Sequence, residues 1–184
     1  MPIFLNIKPG DAALRPLRIV ALALAAALAV GAVGAATPVS SLPTASELGR
    51  DGRTALQSGV PIVILFSLPG CSYCETVRRN YLLALAREGT GSQRPLVREA
   101  DLSSVAPLRG FAWEASSGKA LAAGYKIRVA PTVIVVDGRG TLLAPPLEGG
   151  DVSGMYGAYL DNLLATARSA LADTPAQPST RIRQ

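Results

Sequence analysis

The chain has no histidine, only two cysteines and few aromatic or charged side chains. Of its 184 residues, 5% are aromatic and 17% are charged. Without histidine, Ser-His-Asp and Cys-His catalysis are excluded, as are most zinc sites. Two cysteines allow one disulfide at most, which excludes a small scaffold held by several bridges. Because 49% of the residues are hydrophobic, the chain can bury a sizeable core, and a disordered protein is excluded as well.

The formal net charge of +5 is small and belongs partly to the N-terminus. Lys8, Arg15 and Arg18 against Asp11 account for +2 of it, which leaves about +3 for the other residues. A charge this low over a whole domain predicts no nucleic-acid partner.

The N-terminal region has the pattern of an export signal. Residues 1–18 carry three basic side chains, and residues 19–36 form an uncharged run in which nine of eighteen residues are alanine. A basic segment followed by an apolar segment and small residues predicts a secretory signal over 1–36, cleaved after Ala36. The alternative is a retained membrane anchor, since eighteen apolar residues can just span a bilayer. Either way, the basic residues stay on the cytoplasmic side, and we expect the rest of the chain to be exported.

The rest of the chain is organised as one domain. Residues 37–43 are expected to form a linker and residues 173–184 a flexible tail, so the domain spans 44–172. Hydrophobic periodicity predicts helices over 44–57, 71–87, 119–125 and 152–172, and strands over 60–67, 95–102, 132–136 and 141–147. This order predicts an α/β fold, with a mixed sheet of about four strands and helices on both faces.

Local signals refine the helix prediction. Thr44, with Glu47 three residues later, has the spacing of a capping box. Residues 103–118 have no clear pattern and are expected to form a loop with a broken helix. The last helix is expected to bury a face consisting of Met155, Tyr159, Leu160, Leu163, Leu164, Ala167 and Leu171.

A hairpin is predicted after the strand over 132–136. Asp137-Gly138 is a strong turn signal. The strand that follows contains Pro145-Pro146, and proline is confined to edge strands, so this strand is expected at an edge of the sheet.

Cys71 and Cys74 carry the chemistry that the sequence indicates. They follow a predicted buried strand and begin a predicted helix. Residues three apart in a helical turn face the same way, so the two sulfurs can bond or separate with little backbone movement. Unpaired N–H groups at the helix N-terminus stabilise a thiolate. Cys71, beside the Pro69-Gly70 turn, is expected to be the exposed attacking thiol, and Cys74 the resolving thiol.

Three other roles for the pair compete with redox chemistry. A structural zinc site needs about four ligands, and the chain offers two sulfurs and no histidine. An inert disulfide that closes so short a loop would stabilise little. A copper(I) site formed by the two thiolates, with Met155 as a further soft ligand, stays open and would make the protein a copper(I)-binding chaperone. Redox chemistry is favoured, and it implies neither a metal nor an organic cofactor, because the dithiol is itself the redox group.

Pro131 is a further candidate site residue. It lies in the sequence Val-Ala-Pro-Thr directly before a predicted strand, where a proline need not donate a ladder hydrogen bond. Taken alone it would be an ordinary trans proline, since cis bonds are a small minority even before proline.

Together these motifs resemble the thioredoxin superfamily over residues 44–172. A strand, Cys-x-x-Cys and a helix are followed about sixty residues later by Val-Ala-Pro-Thr, a strand and a hairpin. Residues 66–74, 94–98 and 148–150 are similar to periplasmic thioredoxin-like proteins linked to bacterial sulfur-oxidation clusters. The resemblance implies a thioredoxin-like fold, thiol–disulfide oxidoreductase activity and a periplasmic location, with a cleaved signal favoured over an inner-membrane anchor.

The resemblance also implies roles for individual residues. Cys71 corresponds to the family's nucleophile, Cys74 to its resolving thiol, and Pro131 to a cis-proline facing the disulfide. Ala130, before this proline, would present backbone groups to an extended substrate peptide. The implied partners are disulfide-bearing periplasmic proteins and a membrane electron donor.

The chain departs from thioredoxins at two positions. Leu65 stands where thioredoxins have a buried aspartate, and Gly70 stands where a tryptophan usually precedes the first cysteine. Proton transfer to Cys74 therefore lacks the partner it has in thioredoxins.

The side chains around the pair predict the direction of electron flow. Ser72 and Tyr73, between the cysteines, would tune the redox poise, and Glu75 opposes a thiolate by its charge. Glu75, Arg78 and Arg79 are expected to be solvated surface charges. Without histidine near the pair, we predict that the pKa of the first cysteine lies below that of a free thiol and well above that of strong oxidants. This predicts a reductant or disulfide exchanger.

Overall fold

The structure, a computed structural model, describes residues 41–88 and 94–173. The predicted export signal over 1–36 lies outside these residues, as do most of the predicted linker and of the predicted tail. Within the described ranges, no helix is both long enough and apolar enough to span a bilayer.

Apart from an additional hairpin over 107–117, the helices and strands follow the predicted order. The helices are α1 (Leu48–Ser58), α2 (Ser72–Val77), α3 (Leu83–Glu88), α4 (Gly118–Gly124) and α5 (Tyr156–Ala172). The strands are β1 (Ile62–Ser67), β2 (Leu96–Asp101), β3 (Pro107–Arg109), β4 (Ala115–Ser117), β5 (Thr132–Val136) and β6 (Leu147–Glu148). A π-helical turn, Arg78–Leu82, joins α2 to α3. We call the whole of residues 72–88 the cysteine helix.

Four of the strands form one mixed sheet, in the order β2-β1-β5-β6. β1 is parallel to β2, with Leu65 opposite Glu99. It is antiparallel to β5, with Phe66 opposite Thr132.

β6 pairs antiparallel with β5, lies at an edge of the sheet and is only two residues long. The predicted strand over 141–147 is wrong over most of its length, because proline has no N–H to donate to a ladder: β6 begins at Leu147, after Pro145-Pro146, and Leu142 forms only an isolated bridge with Val136.

Helices cover both faces of this sheet because the central strands are apolar on both sides. Successive strand side chains point to opposite faces, so a continuous apolar run fills two cores. Val63, Leu65, Val133 and Val135 pack with the cysteine helix and α5. Ile62, Ile64, Phe66, Ile134 and Val136 pack with α1 and α4. The predicted fold class is confirmed: the fold is thioredoxin-like.

The start of the domain differs from the prediction. The capping box is wrong, since α1 begins at Leu48 and no side chain caps it. Thr44 instead forms a parallel bridge with Glu99, because the backbone here pairs with the outer edge of β2: the Glu99 N–H donates to Pro43 O at 2.9 Å. The predicted linker over 37–43 is wrong at its end, where Leu42 is buried in the core.

Residues 103–118 do not form a loop with a broken helix. They contain a short hairpin, β3 paired with β4, whose strands are three residues long and bury only Leu108. Strands this short and exposed have no hydrophobic alternation, which is why the sequence pattern missed them. The Arg109 N–H donates to Ser46 O at 2.8 Å and ties the hairpin to the start of the domain.

The last helix begins later than predicted. Gly154, at φ 72°, lies in the loop before it, and the helix starts at Tyr156. Met155 and Tyr159 are exposed, with 51% and 55% of their surface accessible, so placing them on the buried face was wrong. The buried face instead consists of Tyr156, Leu160, Leu163, Leu164 and Ala167.

Candidate active site

A tight turn delivers Cys71 from the end of β1 to the start of the cysteine helix. The Cys71 N–H donates to Leu68 O at 3.3 Å, and Gly70 has φ 71°. Proline followed by a residue of positive φ is the pattern of a type II turn, which favours glycine at this position. Glycine is therefore favoured directly before the cysteine because the turn requires a positive φ there.

We expect Gly70→Ala to lower the free energy of unfolding by about 1–2 kcal/mol, because a Cβ is unfavourable in the left-handed region. Nothing lies within 4 Å of a Cβ built there, so steric contact adds no cost. Gly70→Asn should cost less, since asparagine tolerates this conformation. Urea unfolding measures both.

Gly124→Ala is the matched control for this prediction. A Cβ at Gly124 also meets open space, but its φ is not positive. If Gly70→Ala and Gly124→Ala had equal effects on unfolding, the explanation of Gly70 by backbone conformation would be contradicted.

Cys71 and Cys74 form a disulfide, with their Cα atoms 5.2 Å apart. Cys71 is the N-cap of α2, and its Sγ accepts a hydrogen bond from the Cys74 N–H at 3.1 Å. Cys71 is half-buried, whereas Cys74 is fully buried. An approaching sulfur can therefore reach only the first of the two sulfurs, and a helix N–H already points at it.

The cis-proline expected from the family resemblance is present. The Ala130–Pro131 bond is cis, and Pro131 directly precedes β5, opposite the end of β1. Pro131 O accepts a hydrogen bond from the Gly149 N–H at 2.8 Å. A Cβ at the next residue, Gly150, would lie 2.9 Å from Cβ of Tyr73. The 149–150 segment thus links the proline to the Cys-x-x-Cys loop.

The residues between the cysteines face outward. Ser72 is exposed, and Tyr73 has 56% of its surface accessible. Ala130 is partly buried. The structure therefore brings Cys71, Cys74, Tyr73 and Pro131 to the same end of the sheet, and the roles assigned to Ala130, Ser72 and Tyr73 stay predictions.

A cleft of about 490 Å³ opens at Cys71 and is lined by Ser67 and by charged side chains of the cysteine helix and β2. Arg78 is one of these lining residues. Its Nε donates to Glu99 Oε2 at 2.8 Å and its Nη2 to Glu99 Oε1 at 2.5 Å, while Nη1 donates to Glu75. Ser67 Oγ also donates to Glu99 Oε1, at 2.5 Å.

This network corrects one prediction. Arg78 is not a solvated surface charge, since only 18% of its side chain is accessible. Arg79 is exposed and Glu75 half-exposed, as predicted. Burial alone would raise the pKa of Glu99, but the hydrogen bonds from Arg78 and Ser67 outweigh it, so this pKa is lowered. The hydrogen bond to Glu99 in turn raises the pKa of Arg78.

Sequence reasoning missed Glu99, although a signal was present. In β2, Val97 and Glu99 are two residues apart and so share one face of the sheet, and Val97 is buried in the core. A carboxylate on the same face of a strand as a core valine predicts a cationic or hydrogen-bonding partner on the helix that covers this face.

The π-helical turn explains how the cysteine helix is held at both edges of the sheet. Arg78 bonds to Glu99 on β2, at one edge. Tyr81 donates to Asp151, which follows β6 at the other edge. In an α-helix, side chains three apart share one face, whereas the wider π turn spreads them. The hydrogen bond to Asp151 raises the pKa of Tyr81.

In the part of the chain that the structure describes, no group of three or more His, Cys, Asp or Glu side chains could hold a metal ion. Met155, the further soft ligand considered for copper(I), is half-exposed directly before α5.

The described residues form a thioredoxin-like domain with a Cys-x-x-Cys disulfide at the start of a helix. No protein-family model matches the chain, and no curated protein matches it.

Several solved structures are similar to the chain. Thioredoxin O2 from Arabidopsis thaliana, in its oxidised state, is 15% identical, with a TM-score of 0.43 over 67% of this chain and 93% of that chain. A DsbH oxidoreductase is 16% identical, with a TM-score of 0.46 over 76% and 98% of the two chains. A thioredoxin-fold protein from Helicobacter pylori is 17% identical, with a TM-score of 0.42 over 66% and 94%.

Proposed function

We propose that this protein is an exported thiol–disulfide oxidoreductase that reduces or exchanges disulfides of periplasmic client proteins. The observation that supports this most is the unequal exposure of the pair, with Cys71 at the protein surface and Cys74 buried one turn inside the helix. A reversible exchange centre needs one sulfur that a substrate reaches and a second that only the first can reach.

The reaction uses two successive exchanges at this centre. In the reduced protein, the Cys71 thiolate attacks one sulfur of a client disulfide, so that a mixed disulfide forms and one client thiolate leaves. The Cys74 thiolate then attacks Cys71 Sγ, which releases the second client thiolate and closes the Cys71–Cys74 disulfide. Two electrons pass to the client. A membrane dithiol donor returns the protein to its reduced form by the same steps in reverse.

The protein environment favours this chemistry at Cys71. The N–H of Cys74 donates to Cys71 Sγ and would stabilise the thiolate, as the positive end of the helix dipole also does. The cis-proline segment lies at the same end of the sheet. Ala130, before the proline, would present its backbone to an extended client peptide.

The proposal is tested with the full chain and a protein disulfide substrate. Reduced protein is mixed with insulin, and the loss of insulin disulfides is followed in the presence of dithiothreitol. We expect catalytic turnover, with the Cys71→Ser/Cys74→Ser double variant as the blank. A rate equal to this blank, both here and in the oxidation of a dithiol peptide, would contradict the proposal.

The same preparation tests the copper(I) alternative. If the reduced protein retains copper(I) one-to-one against a competing chelator and shows no turnover, the pair serves as a copper site instead. Turnover without copper retention supports the oxidoreductase.

A further inference from the structure

The charges around the cleft at Cys71 are unbalanced. From the cysteine helix, Glu75 and Arg78 line the cleft, and from β2, Glu99 and Asp101 line it. Three carboxylates thus stand against one guanidinium. Asp101 Oδ1 accepts hydrogen bonds from the backbone and hydroxyl of Ser103 rather than from a cation.

Arg79 changes this balance little. Its side chain is 68% accessible, and its Nε lies 3.7 Å from Glu75. A charge this exposed is screened by solvent. The partly buried Arg78 is therefore the main source of positive charge at the cleft.

The orientation of Arg78 decides what this cation does for the cysteine. A guanidinium beside a thiolate stabilises it, which lowers the pKa of the thiol and favours the dithiol over the disulfide. Here both edges of the guanidinium are occupied, by Glu99 through two hydrogen bonds and by Glu75 through a third. Because these carboxylates offset its positive charge, the guanidinium stabilises the Cys71 thiolate less than a free guanidinium would.

We propose that Glu99 is a positioning residue that acts through Arg78 to set the reduction potential of the Cys71–Cys74 pair. By holding and neutralising the guanidinium, Glu99 denies the Cys71 thiolate a full positive charge and keeps the pair reducing. The biological consequence of this inference rests on the proposed function. The potential itself is measured at equilibrium and does not require turnover.

The measured reaction is the reduction of the oxidised pair by two molecules of glutathione. The Cys71–Cys74 bond breaks, two protein thiols form, and the two glutathione sulfurs join as one disulfide. Two electrons pass from glutathione to the protein, and the two thiol protons move with them. A larger equilibrium constant means a more oxidising pair.

The test compares two substitutions that remove opposite charges from one ion pair. Glu99→Gln is expected to raise the equilibrium constant about tenfold, which corresponds to about 30 mV, and to lower the pKa of the Cys71 thiol. Arg78→Met leaves Glu75 and Glu99 without their cation and is expected to lower the constant by a similar factor. The pKa of the Cys71 thiol is measured from the rate of its alkylation as a function of pH.

If the two substitutions change the equilibrium constant in opposite directions, the effect comes from charge and not from a change in structure. Loosening the cysteine helix would shift both variants in the same direction. The Arg78→Met/Glu99→Met double variant, which leaves no buried charge unpaired, should return to within about threefold of wild type, since paired charges are coupled. If Glu99→Gln does not fold, comparison of this double variant with Arg78→Met isolates Glu99, and the constant should rise.

The neighbouring ion pair is a matched control. Arg98, next to Glu99 on β2, donates through Nε at 2.8 Å and through Nη2 to Asp51 on α1. The side chains of Arg98 and Asp51 are 20% and 12% accessible, against 18% and 17% for Arg78 and Glu99. Because this pair packs on the opposite face, Asp51→Asn and Arg98→Met should change stability without changing the equilibrium constant.

Shifts of the same sign for Glu99→Gln and Arg78→Met, or no shift in either, would overturn the inference and leave the proposed function standing. An equal shift in the Arg98→Met control would also overturn it. A normal potential without turnover of any disulfide substrate would instead contradict the proposed function.

Discussion

Cys74→Ser is expected to accumulate mixed disulfides between Cys71 and client proteins, whereas Cys71→Ser is expected to trap none. In the structure Cys71 is half-buried and Cys74 fully buried, so only the first sulfur meets a client. With Cys74 replaced, the mixed disulfide forms and has no internal thiol to resolve it. With Cys71 replaced, the remaining thiol is out of reach.

The measurement uses the reduced full-chain variants with insulin and with periplasmic proteins. Non-reducing electrophoresis shows the trapped species, and mass spectrometry of the cross-linked peptides identifies the protein cysteine. Turnover should fall to the uncatalysed rate in Cys71→Ser. Equal trapping by the two variants would show that the thiol roles are assigned wrongly.

Leu65→Asp is expected to destabilise the fold by about 3–5 kcal/mol at pH 7, the range for an uncompensated buried charge. Thioredoxins have an aspartate at this position, but here Leu65 is fully buried among core valines. Its parallel-strand neighbour is Glu99, and like charges on neighbouring strands repel. The Glu99 carboxylate, which lines the cleft at Cys71, therefore disfavours a second carboxylate at position 65.

The pH dependence identifies charge as the cause. Burial and the nearby Glu99 raise the pKa of the introduced carboxyl, so the folded state binds more protons than the unfolded state. The stability of Leu65→Asp should then fall as pH rises from the ordinary pKa of aspartate through the raised one.

Leu65→Asn, measured by urea unfolding at each pH, is the matched control, because it has the same shape without the charge. The pKa of Glu99 is itself lowered, so its stabilisation is lost in acid, and comparing the two variants at one pH removes the part of this loss that they share. We expect the gap between the variants to be large at pH 7 and to close near pH 4. A gap that does not change with pH would show that lost packing, rather than charge, destabilises Leu65→Asp.

Most of the central fold was predictable because its signals are local. The apolar runs of β1 and β5 are buried on both faces, so their composition alone indicated central strands. The strand predicted over 141–147 is the exception among the sheet strands, because Pro145-Pro146 interrupts it and only Leu147 belongs to β6. The exposed hairpin over 107–117 could not be predicted, because three-residue strands with exposed side chains have no period.

The capping box at Thr44 and the helix start near 152 failed for another reason. In both places, a residue whose type favours the start of a helix instead forms a contact with another element of the fold. Thr44 pairs with the edge of β2, and the loop before α5 is tied to the cysteine helix through Asp151 and Tyr81. Tertiary hydrogen bonds of this kind do not appear in a local pattern.

The sequence by itself determined the Cys-x-x-Cys pair, its position at the start of a helix, the Pro-Gly turn before it and the order of the helices and of β1, β2 and β5. Each of these depends on residues close together in the chain, through turn conformation, helix termini and hydrophobic period. Only the tertiary structure decided which charges surround the pair. Arg78 and Glu99 are twenty-one residues apart, and they meet because the parallel pairing of β1 and β2 places a carboxylate beneath the cysteine helix, where the π turn directs a guanidinium.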